Sequence, residues 1–158
     1  MADPSPTART TPGGINLQDG YSTKITLAAD SDISFWEKTV TPPGIDGGDA
    51  IEQTTMHNTT WRTFRPRSLA TLTECVLTAL YDPDVYDEIL AVLNKETTIT
   101  VTFSDGSTLA FFGYLRLFEL GDHVEGDPPE CTITIQPTNY DATNDVEAGP
   151  VMDEVAGT

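Results

Sequence analysis

The side chains able to do chemistry in this 158-residue chain are two histidines, His57 and His123, two cysteines and 25 carboxylates. A histidine beside a carboxylate or a second histidine could act as a base or hold a metal. Neither histidine has a partner at metal-ligand spacing, and no Cys-x-x-Cys occurs. His57 lies in a polar stretch and reads as a solvated loop residue. His123 sits among Asp122 and Glu125 and reads as part of a solvated acidic turn, a weak divalent-cation cluster being the alternative. Acids are so frequent that their proximity in sequence carries little information, and no pair sits beside an aromatic-lined strand end as in a glycosidase. Gly44, Gly47 and Gly48 lack the following Lys-Ser/Thr and helix of a phosphate loop, and no serine occupies a Gly-x-Ser-x-Gly elbow. Asn58-Thr59-Thr60 matches a glycosylation sequon, but with no secretory route in view it reads as chance. The expectation is a non-enzyme with no catalytic residue, metal or cofactor.

A different constellation points to contact rather than catalysis. Residues 42–67, PPGIDGGDAIEQTTMHNTTWRTFRPR, show no helical or strand period and lie between β-like segments. Connections beyond about 12–15 residues are uncommon in compact domains and are usually functional or disordered. This one holds Arg62, Arg65 and Arg67, three of the chain's eight basic residues, with Met56, Trp61 and Phe64 among them. Aromatic residues and arginine are enriched where interfaces concentrate their binding energy. The bland reading is a loop folded back on its own domain, with Trp61 plugging the core edge. The sharper reading is an arm that lies on another surface. With so acidic a body, carboxylates on a second copy are the obvious target for its arginines.

The net charge is −17. A nucleic-acid-gripping protein needs a basic face to neutralise phosphates, so that class is excluded, as are anionic membranes as partners. Solubility, adaptation to high salt and a functional negative field all remain compatible with the charge. No apolar stretch follows a basic start near Met1, and no run approaches the roughly 20 apolar residues that span a bilayer. The expectation is a soluble product of the cytoplasm. Cys75 and Cys131 sit far apart inside β-like runs and read as free, buried thiols; a disulfide would need their strands to be adjacent.

The elements around this arm are mostly strands. Residues 1–20 read as a mobile arm rich in Pro, Gly and Thr. Strands are expected at 22–28, 33–41 and 68–80. Asp82-Pro83-Asp84 then opens a helix, with Asp82 as cap and Pro83 at the first helical position. Val85, Tyr86, Ile89, Leu90 and Leu93 form its apolar stripe, and the helix is expected over 83–94. TTITVTF at 97–103 alternates cleanly, and Asp105-Gly106 suits a two-residue hairpin. The return strand, 108–120, places Leu109, Phe111, Leu115 and Leu117 on one face and Phe112, Tyr114 and Phe118 on the other. An acidic loop at 121–130, a last strand at 131–136 and a flexible acidic tail over 138–158 complete the chain. The fold class is mainly β: two packed, mostly antiparallel sheets forming a β-sandwich over 21–137, with one flanking α-helix, a long interstrand loop and flexible termini.

This order of parts resembles the major tail tube proteins of long-tailed, siphovirus-like bacteriophages and related phage-derived tubes. The resemblance rests on the arm, the strand pair 33–41 and 68–77 joined by the long loop, the helix at 84–94, the Asp105-Gly106 hairpin, the strand at 131–136 and the polar tail. It covers roughly residues 20–137 and no single motif carries it. It implies homohexameric rings that stack into a hollow tail tube, with the long loop reaching a neighbouring subunit or ring. On this chain Met56, Trp61, Arg62, Phe64, Arg65 and Arg67 would then lie at subunit contacts. It also implies an acidic lumen through which DNA passes without specific binding, with Glu37 and Glu74 as candidate lumen residues. Implied partners are the chain itself and the tape measure, tail terminator and distal tail or baseplate proteins, with no membrane. The implied location is the virion tail, assembled in the host cytoplasm. Two alternatives stay open: another tail component, such as a terminator or distal ring protein, and a monomeric β-sandwich module that grips a ligand with the loop.

Overall fold

The computed structural model describes residues 20–30 and 33–154. The arm expected over 1–20 lies outside them, save Gly20, as do residues 155–158 of the expected tail. The elements in chain order are β1 (Lys24–Leu27), β2 (Trp36–Thr41), β3 (Ile45–Asp46), β4 (Ile51–Glu52), β5 (Phe64–Arg65), β6 (Thr71–Leu72) and β7 (Cys75–Leu80). A 3-10 turn (Pro83–Val85) leads into α1 (Tyr86–Val92), and β8 (Thr97–Thr102), β9 (Thr108–Leu120) and β10 (Glu130–Pro137) follow. Three short strands end the chain: β11 (Tyr140–Asp141), β12 (Val146–Glu147) and β13 (Val151–Asp153).

One antiparallel sheet carries the body, in the order β1-β8-β9-β10-β7-β2, with β13 added along β9. Its first and last strands are consecutive in sequence, joined only by residues 28–35. The sheet curls until these two edges approach each other. The Ile25 amide, on β1, donates to Glu37 Oε1, on β2, at 3.0 Å across that seam. The two layers of the sandwich are thus the two ends of one curled sheet.

Cross-strand partners share a face, so the pairing identifies what each row does. The row Val40–Leu77–Ile133–Phe118 faces the core, and the adjacent row Thr39–Thr78–Thr132–Glu119 faces outward. Leu27, Ile99 and Phe111 from the other half of the sheet complete the same core. Asp82 Oδ1 accepts from the Asp84 amide, which caps the turn that starts the helix as the sequence predicts. Ile89 and Val92 bury against the core, whereas Leu90, from the expected stripe, is half exposed. The Asn94 amide donates to the Leu115 carbonyl at 3.0 Å and fixes the helix exit to β9.

Two expectations are corrected. Leu117 and Phe118 exchange faces, because Arg116 is an extra residue in β9 against β10. A bulge of this kind flips every side chain beyond it. Residues 138–153 also carry structure: β11 pairs β12, and Val151–Asp153 pairs Ala110–Thr108. An acidic segment can add a strand because the ladder is made by backbone groups, which acidic side chains leave intact.

Cys75 and Cys131 are both buried and free. They lie on adjacent strands but out of register, Cys75 opposite Ile135 and Cys131 opposite Ala79. Burial pushes the Cys75 thiol from its ordinary 9.0 up to about 12. A thiol with a raised folded pKa favours the folded state while protonated. That contribution is whole below about pH 9 and is lost as pH rises toward about 12. The expected loss is roughly 4 kcal/mol over three pH units at ~1.36 kcal/mol each. Urea midpoints measured from pH 8 to 12 should therefore fall, and fall less steeply in Cys75→Ala. Parallel profiles for the two proteins would remove the thiol as the cause.

Candidate functional site

The long connection is a hairpin arm. Thr41 faces Val76 in the body, and Ile45 faces Leu72 four residues further on along each strand. The register of β2 and β7 therefore continues unbroken into β3 and β6. Ile51 facing Arg65 marks a slip of one residue, and the ladder resumes through β4 and β5 to the Gln53 amide bonded to the Thr63 carbonyl. At ~3.3 Å per residue, the arm from Thr41 to Gln53 can extend up to roughly 40 Å.

Its tip is tied by Asn58. The side-chain oxygen accepts from the Thr55 amide at 3.0 Å, and its Nδ2 donates to the Trp61 carbonyl at 2.9 Å. The Thr63 amide donates to Thr54 Oγ1. At the slip, Gly48 takes a φ of +78°, a conformation side chains rarely adopt. The Arg67 stem lies where a Gly48 Cβ would be, and its Nε donates to the Asp49 carbonyl at 2.8 Å. Sequence reading missed Asn58 and Gly48. The run Asn-Thr-Thr looked like a chance sequon, and a turn clamp has no signal stronger than Asn itself.

The apolar side chains of the arm face solvent. Met56 is fully exposed, Trp61 is 79% exposed and Phe64 57%. Trp61 therefore does not plug the core edge. Ile45 and Leu69 at the arm root are also exposed and line a cleft of about 370 Å³ against Ala148, Gly149 and Pro150. Arg62 pairs with Glu52 at 3.5 Å, but both are well exposed, so the pair is worth little. Arg65 has no ion pair among the described residues. The arm thus brings together the six residues singled out from sequence, with Arg67 serving its internal geometry.

The two carboxylates expected at a lumen separate. Glu37 shares a face with buried Ala79 and bonds the Ile25 amide, so it is turned to the seam and away from the outer face. Lys38 is the extra residue of β2 at this point, a bulge that re-aims its neighbours. Glu74 pairs with Arg116 at 2.8 Å, half exposed on the outer side. His57 lies at the arm tip, where its amide donates to Thr55 Oγ1. His123 meets the Tyr81 ring edge-on, and its Nδ1 lies 3.2 Å from the Gly121 carbonyl. Among the described residues no three metal-ligating side chains converge, and no helix is long and apolar enough to cross a membrane.

No protein-family model and no curated protein sequence matches the chain. Its fold is shared with solved structures. A chain of the virion of a native gene transfer agent particle superposes with a TM-score of 0.59 at 7% identity, over 87% of this chain and 100% of that one. A chain of the anti-feeding prophage baseplate, 6-fold symmetrised, gives 0.54 at 8% identity, over 82% and 89%. One from the tail of an empty gene transfer agent particle with C6 symmetry gives 0.54 at 8%, over 89% and 100%. At these identities the likeness is one of fold.

The arm geometry has a direct test. Asn58→Ala should speed amide exchange at Thr55 and Thr63 while leaving the thermal unfolding of the body within about 0.5 kcal/mol, since the tip carries none of the core. A large loss of body stability would show that the arm and core are one unit.

Proposed function

We propose that this chain is a structural subunit of a phage-like tail, forming homohexameric rings that stack into a tube through which DNA passes. The single observation that carries this reading is the preformed hairpin arm, which presents Trp61, Phe64, Met56 and Arg65 to solvent with no described residue of its own chain burying them. Monomers rarely expose large apolar residues in a contiguous group unless a partner covers them. The shared fold with components of a gene transfer agent tail and an anti-feeding prophage baseplate supports the same class, as does the sixfold symmetry of two of those structures.

In this reading the outer face of β2-β7-β10-β9 turns to the lumen. It presents Thr39, Thr78, Thr132 and Glu119 in one row, with Glu74 at its border, and Glu37 is withdrawn as a lumen residue. That row offers hydroxyls and a carboxylate, and the cation beside it, Arg116, is already paired with Glu74, so the face has little with which to hold a DNA phosphate. The chain acts by shape and field, with no catalytic step. Its partners are further copies of itself and the proteins that set the length and close the ends of the tube, in the virion.

Electron microscopy of the concentrated protein in moderate salt should show rings or tubes with a central hole. Arg65→Glu should abolish them while circular dichroism stays unchanged, because Arg65 supports nothing inside the arm. Trp61 and Trp36 are both exposed in the single chain, so tryptophan emission should shift to the blue on assembly. Small monodisperse particles at every concentration, with unshifted emission, would instead favour the monomeric ligand-binding module.

A further inference from the structure

The β2–β7 hairpin carries the arm's three arginines, balanced in number by Asp46, Asp49 and Glu52, at one end and a group of carboxylates at the other. The arm leaves from Thr41 and Val76 with Arg62, Arg65 and Arg67. At the other end, beside Trp36 and Leu80, the chain turns acidic. The Tyr81 amide donates to the Pro129 carbonyl at 3.0 Å, which holds the 121–129 loop next to Asp82 and Asp84 at the start of the helix. Lys38, Asp122, Val124, Asp127, Pro128 and Glu130 line a cleft there of about 480 Å³. Lys38 already pairs with Glu130, and no cation pairs with Asp122 or Asp127 among the described residues. Val124 is exposed at the cleft wall, with half-exposed Leu120 at the base of the same loop.

These carboxylates do not converge as a metal cage would require. They are spread over a concave, partly apolar surface, which suits a partner bringing separate cations and aromatic rings. The cleft at the arm root gives no such match, since Glu147 is its one carboxylate. We infer that the acidic cleft of the 121–130 loop is the seat for the arm of a second copy, with Arg65 meeting Asp122 and Asp127 beside Val124. The inference rests on the subunit role proposed above and names the receptor that role requires. Donor and acceptor patches differ, so the arm of each copy can enter the cleft of the next, head to tail. They lie at opposite ends of the hairpin, so the contact adds copies along the strand direction. Each contact also offsets part of the repulsion between bodies of net charge −17.

Charge reversal and cross-linking test it together. Asp122→Lys with Asp127→Lys should raise the concentration needed for assembly by about ten-fold or more. Adding Arg62→Glu and Arg65→Glu to the same chain should restore assembly. The native cysteines are buried, so new ones can be placed cleanly. Protein carrying Arg62→Cys, mixed with protein carrying Val124→Cys under mild oxidation, should form a disulfide heterodimer. The same mixture with Thr26→Cys on β1 should not. Wild-type tubes that survive the acidic-loop reversal, with cross-linking no better than the Thr26→Cys control, would overturn the inference and leave the tube reading intact. A specific cross-link from a protein that never forms rings or tubes would keep the contact and overturn the tube. Neither assembly nor cross-link would overturn both.

Discussion

Everything in this molecule depends on how a single sheet closes on one core. β1 and β2 are the first and last strands of the same sheet, and the curl brings them together at the bond from the Ile25 amide to Glu37. Leu77, Ile133, Ile99, Phe111 and Leu115 then fill the interior from both halves, and the helix covers it with Ile89 and Val92. Such an interior packs densely and leaves no room for further side chains. The distal half of the β2–β7 hairpin runs past the point where the curled sheet can offer it a surface. Its apolar residues do not join the core, and Trp61 and Phe64 stay exposed among the described residues.

A free hairpin needs help to keep its shape, since two strands alone are marginal in water. Here the body supplies it. The register set by Thr41 opposite Val76 is carried directly into Ile45 opposite Leu72, so the arm inherits its pairing from strands that are locked by burial. Asn58 closes the far end, and Arg67 braces the slip at Gly48. In the proposed assembly, an arm ordered in advance would lose less entropy on docking. Charge would work on the same proposed contact from the other side. A body at −17 repels its copies at long range, and only a geometry that seats arginine on carboxylate reverses that locally.

Much of this was legible in the chain. The alternation of 97–102, the Asp105-Gly106 turn and the full span of β9 could be read because each strand has one buried face, and burial writes a period of two into the sequence. Asp82 and Pro83 marked the helix start because capping is chemistry local to three residues. The arm could not be read as strands for the same reason in reverse. Both its faces are solvated, so nothing selects alternation, and its pairing is inherited rather than encoded. The 138–153 segment looked like a tail because its strands are two or three residues long and hold on by backbone alone.

By itself the sequence determined a mainly β body, a helix with a fixed start, and a long stretch bearing arginines and aromatic residues set in an acidic chain. Those are properties of local pattern and of charge count, and neither needs a partner strand to exist. Tertiary structure alone decided which side chains face which way. The extra residue at Arg116 exchanged Leu117 and Phe118, and the extra residue at Lys38 came with Glu37 turned into the seam. It also decided that the arginines and the acidic cleft lie at opposite ends of one hairpin. Strand pairing joins residues far apart in the chain, such as Tyr81 and Pro129, and no pattern local to either can announce it.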